Sequence, residues 1–213
     1  MTAEHPSPDL SFEQVDPVYR GFIEDYLRLH GVDPITFCKP LPGQDEMFFN
    51  AILPNYEFDA SISAFKFVES AMRLGDAYRQ IVQGVFGGFD KLGTVLDFAS
   101  GWGRLTRLLK QRLSPDQIYV ADIYHQAIDW QVATFGVHGV HSAKDPAAFE
   151  HGGKHDIVLV GSMFSHLPTD LFHRWLARLY DLVSDRGVLA FSVHDQAILP
   201  AGEVMDPSGL SYL

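Results

Sequence analysis

The run Thr94-Val95-Leu96-Asp97-Phe98-Ala99-Ser100-Gly101-Trp102-Gly103-Arg104-Leu105-Thr106-Arg107-Leu108-Leu109 reads as a buried strand, a glycine-bearing turn and an amphipathic helix in direct succession. Val95 and Leu96 suit a strand covered on both faces, and Leu105, Leu108 and Leu109 give the next helix one apolar side. Gly101 and Gly103 let backbone approach a ligand without a Cβ in the way. Free N–H groups at the start of the helix would point at whatever lies over the turn. Asp97, at the strand end, argues against an anionic phosphate there and for a cationic or amino-bearing ligand.

Downstream, strands and helices alternate. Residues 118–123 form a second apolar run that ends in Asp122, and 126–135 are the helix behind it. Residues 137–142 read as a short third strand, 156–161 as a continuous, β-branched fourth strand, 171–183 as a helix and 188–193 as a fifth strand. This alternation predicts an α/β fold with a doubly wound, mainly parallel sheet and right-handed crossovers. Ligands of such sheets bind at the carboxyl ends of the strands. Those ends carry Asp97, Asp122 and Ile123, Ser142 and Ala143, Gly161 to His166, and His194.

The segment Asp97-Phe98-Ala99-Ser100-Gly101-Trp102-Gly103 resembles the first motif of the class I S-adenosylmethionine-dependent methyltransferases, acidic-x-Gly-x-Gly-x-Gly, with Ala99 in place of the first glycine. The extra methyl is tolerable if φ stays negative there and costs about 1 kcal/mol or more if φ is positive. The resemblance implies a Rossmann-like core and S-adenosylmethionine as cofactor, held by Asp97, Ala99, Ser100, Gly101, Gly103 and Arg104. It also implies Asp122 beside Ile123 at the ribose, and Ser142 and Ala143, with Asp145, near the adenine. Gly161-Ser162-Met163-Phe164-Ser165-His166-Leu167-Pro168 resembles the family segment that lines cofactor and acceptor, which brings in Gly161 and Ser162. A helix N-cap is the alternative role for Asp122. A dinucleotide fingerprint fits less well, because Thr106 stands where its third glycine is needed.

Arg104 falls in the first turn of the expected helix, where a cation opposes the macrodipole and calls for an anion. That anion is either the carboxylate of the methionine moiety or Asp97. If the methyl acceptor is a hydroxyl, His166 and His194 are the candidate bases. Among the ten histidines, His138/His141 and His151/His155 have ligand-like intervals but are expected in loops without a third ligand, and no metal is implied.

A chain of 213 residues with 46% hydrophobic content can bury a full core and has no segment near the length of a membrane span. A net charge of −11 without a basic cluster excludes nucleic acid as the expected substrate. The single cysteine, Cys38, fits a reducing, cytoplasmic setting and reads as a small buried hydrophobe. Residues 1–90 form a helical extension ahead of the core at 91–213, with apolar positions at helical spacing over 18–27 and 62–85. In the family such extensions pack over the sheet as a lid on the acceptor.

Only twenty residues follow Val193, and they hold Pro200, Gly202, Pro207 and Gly209. The last two strands of a complete class I sheet are therefore expected to be missing, which leaves the fifth strand as an edge that invites a homodimer. The leading expectation is methyl transfer to a small molecule. The alternatives are a cofactor-binding chain without turnover and, less well supported, a nicotinamide-dependent oxidoreductase.

Overall fold

The computed structural model describes residues 7–195 and Ala197. Its centre is a five-stranded, all-parallel sheet of order β3-β2-β1-β4-β5. The strands are β1 (Val95–Phe98), β2 (Ile118–Asp122), β3 (His138–His141), β4 (His155–Val160) and β5 (Val183–Phe191). Strand order reverses between β1 and β4, so the crossovers leave in opposite directions and open a crevice at the carboxyl ends.

Alternation along the strands decides which side chain meets which layer. Val95, Ile118, Val120, Ile157 and Leu159 face one layer, where they pack with Tyr78, Val82, Leu109, Ile128 and Phe135. Leu96, Phe98, Ala121, Val158 and Val160 face the other, against Phe149, Trp175 and Leu179. The helices of the chain are α1 (Pro17–Leu29), α2 (Pro34–Phe37), α3 (Leu53–Asn55), α4 (Ala60–Phe86), α5 (Thr106–Leu109), α6 (His125–Phe135) and α7 (Thr169–Tyr180). A π-helical stretch, Met47–Ile52, runs directly into α3.

Helix α4 joins two cores. Asp59 caps it by accepting from the Ser61 and Ile62 N–H groups at 2.8 and 2.9 Å, which satisfies two of the free donors of its first turn. Its first half puts Ala64, Phe67, Val68 and Ala71 among Ile23, Leu27, Phe37 and Phe48. Its second half puts Tyr78 and Val82 on the sheet. It ends at Gly87, whose φ of 83° is the left-handed cap that a glycine takes without strain.

Several boundaries differ from the sequence reading. The helix after the first strand is a single short turn, α5, because residues 101–105 form successive turns first; no long helix N-terminus faces the crevice. Helix α7 ends at Tyr180, and Val183 already begins β5. His138 and His141 lie on β3, not in a loop. His155 lies on β4, only 2% exposed, with its Nε2 2.8 Å from His151 Nε2. Burial first, then His151, lowers the His155 pKa to about 4, so this pair is a buried imidazole contact and not a solvated one. Among the described residues no cluster of three metal-ligating side chains occurs. No described helix is long and apolar enough to cross a membrane. The expected absence of the last two strands falls on residues 198–213, which lie outside the described residues.

Candidate active site

The turn after β1 is built from left-handed residues. Ala99, Gly101 and Gly103 have φ of 56°, 53° and 79°. The tolerable negative φ at Ala99 is thus not what the chain adopts, and its Cβ meets the strain expected of an L-residue in that region. The two glycines do different work. A Cβ on Gly101 would enter open space, whereas one on Gly103 would lie 2.9 Å from both Gln131 Oε1 and Phe135 Cε2. Gly103 therefore serves close packing on α6 and does not reach the crevice wall, contrary to its expected ligand role.

Three hydrogen bonds hold the turn open. Asp122 Oδ2 accepts from the Gly101 N–H at 2.8 Å. Gln131, fully buried on α6, donates through Nε2 to Ser100 Oγ at 2.9 Å and to the Gly101 carbonyl at 2.8 Å. The other Asp122 oxygen accepts from the Tyr124 N–H at 2.9 Å, so Asp122 shapes the two turns on either side of it and does not cap α6. Burial raises the Asp122 pKa, and the Tyr124 and Gly101 N–H groups oppose that rise.

Above this turn lies a cavity of about 1120 Å³. Phe98, Ala99, Ser100, Gly101 and Arg104 form one side, and Asp122, Ile123, Ser142 and Ala143 the next. Gly161, Ser162, Met163 and His166 close it from the end of β4. Ser162, at φ 66°, is a second left-handed non-glycine residue on this wall, held by its N–H to Ser192 Oγ at 2.7 Å. Ser142 is 5% exposed and its Oγ has no hydrogen-bond partner among the described residues.

Asp97 does not reach this wall. It points with Val95 toward the helices, is 2% exposed, and lies 3.1 Å from Thr106 Oγ1, which is also 2.7 Å from Gln131 Oε1. One hydroxyl proton there faces two acceptors, and a proton on Asp97 completes the set. In keeping with that, burial, with Asp122 adding to it, pushes the Asp97 pKa up to about 7 against the Thr106 bond and Arg104. The ion pair between Arg104 and Asp97 does not form. Arg104 has Met47 Sδ at 3.8 Å and Ser70 Oγ at 3.4 Å and no ion pair with any described residue, although it lines the cavity. Burial lowers its pKa, while Asp45 and Asp97 act to raise it.

His194 is exposed beyond the end of the edge strand β5 and is not part of the wall, because β5 lies one strand beyond β4. Asp145 is drawn away too, with its Oδ1 2.5 Å from Arg174 Nη2. Cys38 is partly buried, and burial pushes its thiol up to about 12, which leaves it unreactive.

The sequence reading missed one whole wall, Gln44, Asp45, Glu46 and Met47. These residues arrive because Arg107, fully buried on α5, donates to the carbonyls of Phe37, Lys39 and Pro40 at 2.8, 2.6 and 2.9 Å. Glu46 then accepts from the Tyr124 hydroxyl at 3.1 Å. Asp45 is 4% exposed, and burial raises its pKa. The sequence carried no signal for this tether, because the neighbours of Arg107 one helical turn away, Gly103, Arg104, Lys110 and Gln111, read as a solvated face.

A parallel sheet reversing at β1/β4, with an acid at the tip of β2 and a glycine turn beneath a cleft, defines a nucleoside-cofactor fold. A family model described as a methyltransferase domain matches residues 70–206, and the chain belongs to that family, the class I S-adenosylmethionine-dependent methyltransferases. No curated protein matches it. Among solved structures it is similar to coclaurine N-methyltransferase, at 20% identity and TM-score 0.44, over 57% of this chain and 34% of that one. It is also similar to the N-methyltransferase NodS from Bradyrhizobium japonicum, at 17% identity and TM-score 0.45, over 59% and 61% of the two chains. A sugar N-methyltransferase from Streptoalloteichus gives 19% identity and TM-score 0.49, over 61% and 51%. The chain thus spans between 34% and 61% of the length of these three proteins.

Proposed function

We propose that the chain is an enzyme that transfers a methyl group from S-adenosylmethionine to a small organic acceptor inside the cavity above the β1 turn. The observation that carries this reading is the meeting, on one wall, of an open Cβ position at Gly101, the Asp122 carboxylate and the unpartnered Ser142 hydroxyl. That set fits an adenosyl group: backbone can lie against the ligand, a carboxylate can accept from ribose hydroxyls, and a buried hydroxyl lacks a partner that a base edge can supply. Ile123, Ala143 and Met163 supply apolar surface for the adenine, and Arg104 has donors for the amino-acid end.

When bound, the cofactor supplies an electrophilic sulfonium methyl. The task of the protein is then to hold the acceptor in line and exclude water. Met47 and the neighbouring residues 44–46 form the water-excluding wall, and of the two histidines that line the cavity, His125 and His166, the one beyond β4, His166, is the candidate to take a proton from the acceptor. The cavity volume of about 1120 Å³ suits a cofactor with a small acceptor, and the charge of −11 disfavours nucleic acid. We also propose a homodimer through the edge strand β5, where Phe191 is 38% exposed.

Calorimetry with S-adenosylhomocysteine and NAD, followed by donor turnover over a panel of small amines, phenols and carboxylates, tests the reading. Binding of S-adenosylhomocysteine but not NAD, with turnover on one acceptor class, is the expected result. Binding without turnover on any acceptor would return the non-catalytic alternative. His166→Ala should lower turnover by about a hundredfold with unchanged affinity for S-adenosylhomocysteine.

A further inference from the structure

A second cavity, of about 500 Å³, lies where the end of α1, the middle of α4 and α5 meet, and it shares no lining residue with the cavity above the β1 turn. Its volume falls among pockets that take small molecules, about 300–1,000 Å³. Met72, Leu105, Leu108 and Phe89 give it an apolar floor. Tyr26 and His30 add a flat aromatic side, their ring centroids 4.5 Å apart, with His30 Nδ1 turned to the Tyr26 carbonyl at 2.8 Å.

The charged residues around this floor are Arg73, Arg79 and Arg112, with Asp76 as the one carboxylate. That excess of positive charge stands in a chain whose net charge is −11. Two of the guanidiniums are engaged by their own helix: Arg73 pairs with Glu69 at 3.0 Å and Arg79 with Asp76 at 2.6 Å. The other Asp76 oxygen accepts from Gln80 Nε2 at 3.1 Å, so both of its oxygens are taken. Arg112 has no ion-pair partner among the described residues. It is placed all the same, because its Nη2 lies 3.5 Å from where a Cβ would stand at Gly31, between His30 and Val32 of the cavity lining. A guanidinium so held takes a carboxylate through paired N–H···O bonds.

We propose that this cavity binds a small aromatic carboxylate, with its ring on Leu105, Leu108 and Met72 and its carboxylate on Arg112. An apolar floor under one unengaged cation matches an apolar body with one negative charge. The site is separate from the methyl-transfer cavity, and the proposal does not depend on the cofactor which that cavity takes.

The probes are 1-naphthoate, its neutral counterpart 1-naphthalenemethanol and the cation 1-naphthylmethylammonium, each titrated into the full chain by ligand-observed NMR. Naphthoate should bind at least about tenfold more tightly than the alcohol, the size of one charge-assisted bond, and the ammonium should bind most weakly. Arg112→Gln should lower naphthoate affinity about tenfold and leave that of the alcohol unchanged. Leu29 stands at the rim, 83% exposed, so Leu29→Glu should fold normally, weaken naphthoate and strengthen the ammonium. Should Arg112→Gln fail to fold because the guanidinium also serves the carboxyl end of α1, the opposite shifts in Leu29→Glu still decide. Absence of saturable naphthoate binding, equal affinity for acid and alcohol, or displacement of naphthoate by S-adenosylhomocysteine would each overturn the proposal. Unchanged naphthoate affinity in a folded Arg112→Gln or in Leu29→Glu would overturn it as well.

Discussion

Asp122 at the tip of β2 accepts from the Gly101 N–H at 2.8 Å, so the end of one strand fixes the turn that follows its neighbour. The same carboxylate holds the Tyr124 N–H at 2.9 Å. Asp122→Ala leaves both donors without a partner, and stability should fall by about 1–3 kcal/mol in urea denaturation. Affinity for S-adenosylhomocysteine should fall at least about tenfold in calorimetry, because the proposed ribose contact and the turn would be lost together. A loss of stability with full affinity would assign Asp122 to the turn alone.

The two glycines of the turn separate in the same way. Gly101→Ala meets nothing within 4 Å and carries only the left-handed backbone cost, about 1 kcal/mol, while its methyl projects into the space proposed for the cofactor. Gly103→Ala adds a clash at 2.9 Å with Gln131 and Phe135, and overpacking of that kind costs about 1–3 kcal/mol beyond the backbone term. Thermal melts should rank Gly103→Ala well below Gly101→Ala, and calorimetry should show the larger loss of S-adenosylhomocysteine affinity per degree for Gly101→Ala. The reverse ranking would refute this assignment.

Asp97 makes stability depend on pH in a direction opposite to that of most carboxylates. Its pKa in the fold, about 7, lies above the model-compound value of 3.8, chiefly because burial disfavours the anion. The folded chain therefore binds the proton more tightly than the unfolded chain. This stabilisation is fully present below about pH 4 and is lost as pH rises toward 7, with a slope of at most about 1.4 kcal/mol per pH unit. Asp97→Asn, which mimics the protonated acid beside Thr106, should remove that slope. His155, Asp45 and Asp122 contribute pH dependence to both proteins, so the measure is the difference between them: on going from pH 5 to pH 8 the urea midpoint of the wild type should fall further than that of the variant.

Arg104→Met keeps the side-chain bulk and removes a buried, unpaired charge. The urea midpoint of the free protein should hold or rise, since no ion pair is broken among the described residues. Affinity for S-adenosylhomocysteine should fall about tenfold, reflecting a lost charged hydrogen bond. Unchanged affinity would show that the guanidinium holds no part of the cofactor.

The apolar runs made the sheet legible: Val95, Leu96 and the β-branched 156–161 stretch mark strands covered on both sides, and they are the central pair. Asp122 was legible for the same reason, as the acid that ends such a run. The side on which Asp97 points was not, because a residue at the end of a strand covered on both faces gives no alternation to read. Gly103 was misread because composition cannot tell a glycine that admits a ligand from one that admits Phe135. The 44–47 wall lies some fifty residues before the motif in an irregular, proline-bearing stretch, and long-range bonds, those of Arg107 to three carbonyls and of Tyr124 to Glu46, carry it to the cavity.

Those three bonds also decide how the site can open. The chain segment that leads into the 44–47 wall is fastened at residues 37, 39 and 40 to the helix that follows the glycine turn. A swinging cover needs a free hinge at its base, and here the base is bolted to the floor it would cover. Residues 41–46 are held as well, by the Leu10–Leu41 backbone pair, by the Gly43 N–H to Asp9 at 2.8 Å and by the Tyr124 hydroxyl to Glu46 at 3.1 Å, so this wall belongs to the fixed frame of the cavity and opening must come from elsewhere.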